Sequence, residues 1–273
     1  MLRLNDTFTR LKRNRQKALI TFITAGHPNP QLTVDLMHTL VEAGTDIIEL
    51  GVPFSDPMAD GPVIQRASEK ALIYGVSLAD VLDMVSQFRH TDMTTPIVLM
   101  GYANPIEAYG RERFVKTAAD SGVDGVLTVD YPPEESSEFV DLLNAHGIAP
   151  IFTVAPTTAS SRLGNVLAVA QGFLYYVALC GVTGASHVDT DNLASRIEPL
   201  RKLTQLPIAV GFGINSPEKA KQAALSADAI VVGSRIVQEI ENSSEEEVLS
   251  NVFKLIRAMH DAIQQERNEY ELV

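Results

Sequence analysis

The sequence predicts an α/β fold, a single (β/α)8 or TIM barrel domain spanning residues 1–273 with an extra N-terminal helix. Three observations predict it. The chain has 273 residues, the usual length of one such barrel and enough for one large core. It holds eight short apolar runs, each followed by a helical pattern. Successive runs start about 22–33 residues apart, with one interval of about 49, against roughly 30 for a strand–helix unit.

The runs are Ala18–Thr24, Asp46–Leu50, Pro96–Tyr102, Gly125–Val129, Ala149–Val154, Leu174–Ala178, Pro207–Phe212 and Ala229–Gly233. Continuous apolar stretches of this length suit parallel strands buried on both faces. Between them stand helix signals. Ser77 precedes LADVLDMVSQF with Asp80 three residues on, the pattern of a capping box. Ser216-Pro217-Glu218 sets a cap, a first-turn proline and an early acid in order. Asn29-Pro30 opens QLTVDLMHTLVEAG, which Gly44 ends. An open doubly wound sheet is the alternative, but ITAGHPNP after the first run is not the glycine-rich turn such a sheet carries.

Two helical patterns lie outside the eight units. Leu4, Phe8 and Leu11 share one face of a short N-terminal helix able to plug the barrel bottom. Glu245–Gln264 reads as a long last helix, with a polar, frayed tail after it. The long units follow the second and sixth runs. Extra length at the C-terminal end of a barrel strand is where loops do chemistry, so the loops after Leu50 and Ala178 stand out.

Composition narrows the function. The formal net charge is −12, which repels a nucleic-acid backbone. Five basic residues fall between Arg10 and Lys17, and a solvated helix face accounts for them. The single cysteine, Cys180, makes no internal disulfide and fits a reducing cytoplasm. The start MLRLNDTFTRLK lacks an apolar core for a signal peptide, and no run of 18 apolar residues exists to span a membrane. A soluble, cytoplasmic enzyme is expected.

Glu49 sits just before the end of the second strand, between Ile48 and Leu50. Desolvation there raises a carboxyl pKa and suits it to proton transfer near neutral pH. The bland alternative is a structural acid paired with a Lys or Arg across the barrel. Asp56 and Asp60 lie in the following loop, GVPFSDPMADGP. Each precedes a Gly or Pro, so turn chemistry explains either as well as function does. Two acids at one pocket can divide labour, one moving protons and one staying charged. Gly-containing segments also follow the last three strands: CGVTGASH, GFGINS and VVGSR. Loops after the seventh and eighth strands form the usual barrel phosphate site, which singles out Gly213 and Gly233-Ser234. Cys180 and His187 share a loop, but a lone cysteine is more often packing than nucleophile. The histidines show no metal-ligand spacing, and no metal is expected.

ELGVPFSDPMADGPVIQ, the later GVTGA, and GFGI followed by VVGS resemble the tryptophan synthase α subunit. The resemblance runs from Phe22 through Gly233-Ser234. It implies a (β/α)8 barrel that cleaves indole-3-glycerol phosphate to indole and glyceraldehyde 3-phosphate by a retro-aldol reaction, with no cofactor in this subunit. It implies that Glu49 protonates indole C3 and handles the glycerol hydroxyl proton, and that Asp60 faces the indole N–H. Gly184, Gly213, Gly233 and Ser234 match its phosphate grip. Phe22, Tyr102, Leu127, Tyr175, Thr183 and Phe212 match its pocket lining, Thr183 on a loop that closes over substrate. It also implies a pyridoxal-phosphate β subunit as partner in an α2β2 heterotetramer, docked at Pro53, Phe54, Asp56, Asn104 and Asp130 to Pro133. Leu179-Cys180 and His27 depart from the family's commoner residues at those positions.

Two other readings stand beside this one. One is a different phosphate-binding barrel, an isomerase or an aldolase. A Schiff-base aldolase needs a strand lysine, and none of the eight runs has one. The other is a barrel whose main role is to switch a partner enzyme.

Overall fold

The computed structural model describes residues 2–177, 193–211 and 213–264. Eight parallel strands close into a barrel in chain order: β1 Ala18–Thr24, β2 Ile47–Gly51, β3 Ile97–Gly101, β4 Gly125–Thr128, β5 Ala149–Val154, β6 Leu174–Val177, β7 Ile208–Gly211 and β8 Ala229–Val232. β8 pairs back onto β1, with Thr21 opposite Val232. Around it run α1 Leu2–Arg13, α2 Thr33–Ala43, α3 Pro62–Ile73, α4 Leu78–Arg89, α5 Ala103–Tyr109 and α6 Arg111–Ser121. They continue as α7 Ser137–Ala145, α8 Ser160–Val169, α9 Leu193–Arg201, α10 Pro217–Ala224, α11 Ser234–Asn242 and α12 Val248–Gln264. Among the described residues no single helix is long and apolar enough to cross a membrane.

The eight expected strands are all present, with described ends shifted by local chemistry; the expected ends at Ala178 and Phe212 lie outside the described residues. Asp46 stays outside β2 because it serves as a clasp. Its N–H donates to the Leu19 carbonyl, and its carboxylate accepts the Leu19 N–H. Asp124 does the same for Ile97 before β4, and Asp228 for Ile208 before β8. An arginine holds each acid: Arg10 on Asp46, Arg89 and Arg3 on Asp124, Arg201 on Asp228. Three neighbouring strand pairs are thus fastened at the bottom rim by one repeated device. Arg89 and Asp124 are both buried, where losing one partner leaves an uncompensated charge.

The caps follow the sequence, with two corrections. Ser77 and Asp80 form the capping box of α4, and the Ser216 hydroxyl accepts the Lys219 N–H at the start of α10. Gly44 ends α2 at φ 114, a left-handed conformation that favours glycine. Asn29, however, caps a 3-10 turn over Pro30–Leu32, and α2 begins only at Thr33. The last helix begins at Val248 rather than Glu245, because the Ser244 carbonyl accepts the Glu247 and Val248 N–H groups in a preceding turn. The expected frayed tail lies outside the described residues.

Period-two alternation sorts the strand side chains into two cores. Inward-facing Ala18, Ile20, Ile47, Val98, Leu127, Ile151, Ala209 and Val231 fill the barrel. Outward-facing Ile23, Ile48, Leu50, Leu99, Val210 and Ile230 meet the helices. The N-terminal plug is real: Leu4 and Leu11 on α1 join the barrel-interior core, and Phe8 packs against Phe173 at 6.0 Å. Each such buried Leu contributes about 1.5–3 kcal/mol over its exposed state.

Candidate active site

The mouth of the barrel, at the C-terminal ends of the strands, gathers the predicted residues. Glu49 continues the inward row of β2 two residues past Ile47, beside Phe22 of β1 in the ladder. Its side chain is 1% exposed, and Oε1 has no hydrogen-bond partner among the described residues. The structural-acid alternative required a cation there, and none pairs with it among the described residues. Burial first, then the neighbouring Asp60 charge, push the Glu49 pKa from 4.5 up to about 8. At neutral pH this carboxyl holds its proton inside an apolar barrel.

Asp56 and Asp60, equal in the sequence, separate in the structure. Asp56 is exposed and takes a hydrogen bond from its neighbour Ser55. Asp60 is half-buried, and its Oδ2 accepts the Tyr102 hydroxyl at 3.1 Å. That hydroxyl in turn accepts the Ala59 N–H at 3.0 Å. Tyr102, only 4% exposed, therefore pins the Asp60 loop to the end of β3. Burial raises the Asp60 pKa, and the Tyr102 hydrogen bond opposes the rise.

Phe22 joins this acid pair to the opposite wall. Its ring covers Gly51, where a Cβ would lie 2.6 Å from Cζ. Its own Cβ would lie 3.4 Å from a Cβ built on Gly233. Gly233 has no side chain to cap α11, so the helix opens onto the mouth without a side-chain cap. Ser234, exposed, is the first residue of that helix. Gly213, at φ 73, follows the neighbouring strand β7. Two adjacent strand ends thus present backbone and a helix N-terminus to one corner, a suitable cradle for a phosphate. Tyr175 faces inward on β6. A Cβ on Gly211 would stand 2.5 Å from its hydroxyl, so glycine there makes room for the ring. Burial, then the Glu49 charge, push the Tyr175 pKa well up, keeping the phenol protonated. Leu127 sits one strand from Met100 in the same inward layer, 1% exposed.

Thr183, Gly184 and Phe212, with Leu179, Cys180 and His187, lie outside the described residues. His27 is buried, and its Nδ1 lacks a partner among the described residues. Burial, then Lys70, lower its pKa to about 4, so it stays neutral at pH 7.

The cleft holding Asp60, Tyr102 and Phe22 is also lined by Thr24, Gly51, Met100 and Val129, and by Ile64 and Ser68 of α3. The sequence reading missed these six. Thr24, Gly51, Met100 and Val129 were findable, since each continues the inward alternation of its strand past a recognised residue. Ile64 and Ser68 reach the mouth only because α3 folds back over it.

The chain matches the family model for the tryptophan synthase alpha chain over residues 8–264. It is 55% identical over 263 residues to the tryptophan synthase alpha chain of Nitrosospira multiformis, covering 96% of this chain and 94% of that one. The crystal structure of tryptophan synthase subunit alpha from Legionella pneumophila str. Paris superposes with a TM-score of 0.89 at 43% identity, covering 96% and 98%. A chain of M. tuberculosis tryptophan synthase in its aminoacrylate-bound form gives 0.86 at 31% identity, covering 96% and 99%.

Proposed function

The chain belongs to the tryptophan synthase alpha chain family, and on that premise we propose how its own residues perform the reaction. The protein is a carbon–carbon lyase of tryptophan synthesis that cleaves indole-3-glycerol phosphate to indole and glyceraldehyde 3-phosphate. Glu49 gives its proton to indole C3, and the positive charge that appears spreads to the ring nitrogen. Asp60 accepts the ring N–H and stabilises that charge. Glu49, now a carboxylate, takes the proton of the glycerol hydroxyl next to the ring. The O–H electrons become the aldehyde C=O, the C–C bond breaks, and its pair restores the aromatic ring. One carboxyl thus gives a proton and regains one, and no cofactor is needed in this chain.

The observation that carries this reading is the buried Glu49, its Oε1 without a partner among the described residues and its pKa near 8. An acid protonated at working pH, whose conjugate base is poorly solvated, suits both steps. Gly213, Gly233 and Ser234, with Gly184, hold the substrate phosphate. Phe22, Tyr102, Leu127 and Tyr175, with Thr183 and Phe212, enclose the indole and propyl part.

A tryptophan synthase β subunit is the partner. We propose an α2β2 heterotetramer in the cytoplasm, with pyridoxal phosphate on the β subunit and indole passed directly to it. The docking face groups three loops that the structure ties together. Phe54 packs on Tyr102 at 5.2 Å, and Asp130 accepts the Ala103 N–H at 2.8 Å. Met58, 84% exposed, projects from the first of them.

The test is indole release from indole-3-glycerol phosphate by the purified chain, with and without the β subunit. Glu49→Gln should reduce release to background in both cases. Normal release by this variant would refute the mechanism.

A further inference from the structure

The opposite end of the barrel holds a cavity of about 800 Å3 that the lyase chemistry does not use. That is the size of a small-molecule site. Phe8, Leu11 and Pro207 give it an apolar floor, and Lys12, Arg15, Lys17 and Arg201 stand around it. Asp228, the one acid lining it among the described residues, is already paired with Arg201 at 2.9 Å. Lys17 donates to the Ala227 carbonyl at 2.7 Å. Lys12 and Arg15 make no ion pair among the described residues. Such an excess of cations is unexpected on a chain of net charge −12.

The backbone adds an independent observation. The Arg15 N–H donates to the Lys12 carbonyl at 3.1 Å, and the Gln16 N–H to the Leu11 carbonyl at 2.8 Å. That pair of bonds is a Schellman turn ending α1, with Arg15 in the position usually taken by glycine. Arg15 sits at φ 56, and among the described residues no other non-glycine has a positive φ. The chain accepts a strained conformation there and gains a guanidinium on the cavity wall. Arg10, Lys12, Arg13 and Arg15 are exposed, as a solvated helix face requires, and Lys12 and Arg15 also line the cavity.

We propose that this cavity binds a phosphate monoester with an aromatic or apolar body. Lys12 and Arg15 match the dianion, and the Phe8–Leu11–Pro207 floor takes the body. The test uses phenyl phosphate, titrated into the full 15N-labelled chain while backbone amide shifts are followed. Gly213 and Gly233 report the mouth, where phosphate also binds, and Lys12 to Lys17 with Thr204 to Leu206 report the cavity. The expected result is a separate, saturable set of shifts at the cavity that weakens with added salt. Arg15→Gly should weaken that set at least about tenfold, leave the mouth set unchanged, and keep or raise the Tm, because glycine accepts the left-handed turn. Shifts confined to the mouth would overturn the proposal. So would cavity shifts equally strong with benzyl alcohol, or unchanged by Arg15→Gly.

Discussion

Replacing Glu49 with Gln should stabilise the protein at neutral pH while abolishing indole release. Gln has the shape of the protonated acid but cannot ionise. In the folded protein Glu49 binds its proton up to about pH 8, whereas its ordinary value is 4.5. A carboxyl raised in this way leaves the fold at full stability below about 4.5. Stability then falls as pH rises toward 8, because only the unfolded chain releases the proton cheaply. From the ordinary value to pH 7 is about 2.5 pH units, each about 1.36 kcal/mol, so the wild type gives up about 3 kcal/mol. Urea unfolding of both proteins at pH 5 and pH 7 reads this directly. The difference between the two profiles isolates residue 49, since every other group titrates in both. Glu49→Gln should gain about 2.5 kcal/mol on the wild type between those pH values, with equal m-values. Parallel profiles would show that Glu49 is not held protonated, and the acid role would fall with that result.

Two further outcomes follow from the same geometry. Asp60→Asn keeps an acceptor for Tyr102 but removes the charge facing the indole nitrogen. Its kcat should drop about 10²–10³-fold, and the alkaline limb of its residual activity should move to lower pH, because the Asp60 charge helps raise Glu49. A pH–rate profile checks both. Gly211→Ala would place a Cβ 2.5 Å from the Tyr175 hydroxyl. Displacing that ring should cost about 1–3 kcal/mol and raise KM, read by a thermal melt and steady-state kinetics.

The sequence by itself determined the barrel and its polarity. Eight apolar runs at near-regular spacing leave few other closed arrangements, and strand ends shifted by only a residue or two. The shifts have causes that apolar patterning does not register: Asp46 clasps Leu19, and Tyr102 leaves β3 to stand as the N-cap of α5. Alternation along β2 also determined that Glu49 faces inward, since Ile48 and Leu50 must meet the helices. Spacing alone could not choose between Asp56 and Asp60, because both stand in the same turn-forming context, and the family resemblance was what favoured Asp60. What only the tertiary structure adds is Tyr102, 42 residues away in the chain, whose hydroxyl holds Asp60 at the mouth while Asp56 stays exposed. Likewise Glu49 owes its raised pKa to what surrounds it in space. A carboxyl becomes a useful acid at neutral pH when water and cations are excluded, and a linear sequence does not display that exclusion. The same limit hid the basic cavity, whose walls come from α1 and from the turn before β7, nearly 200 residues apart.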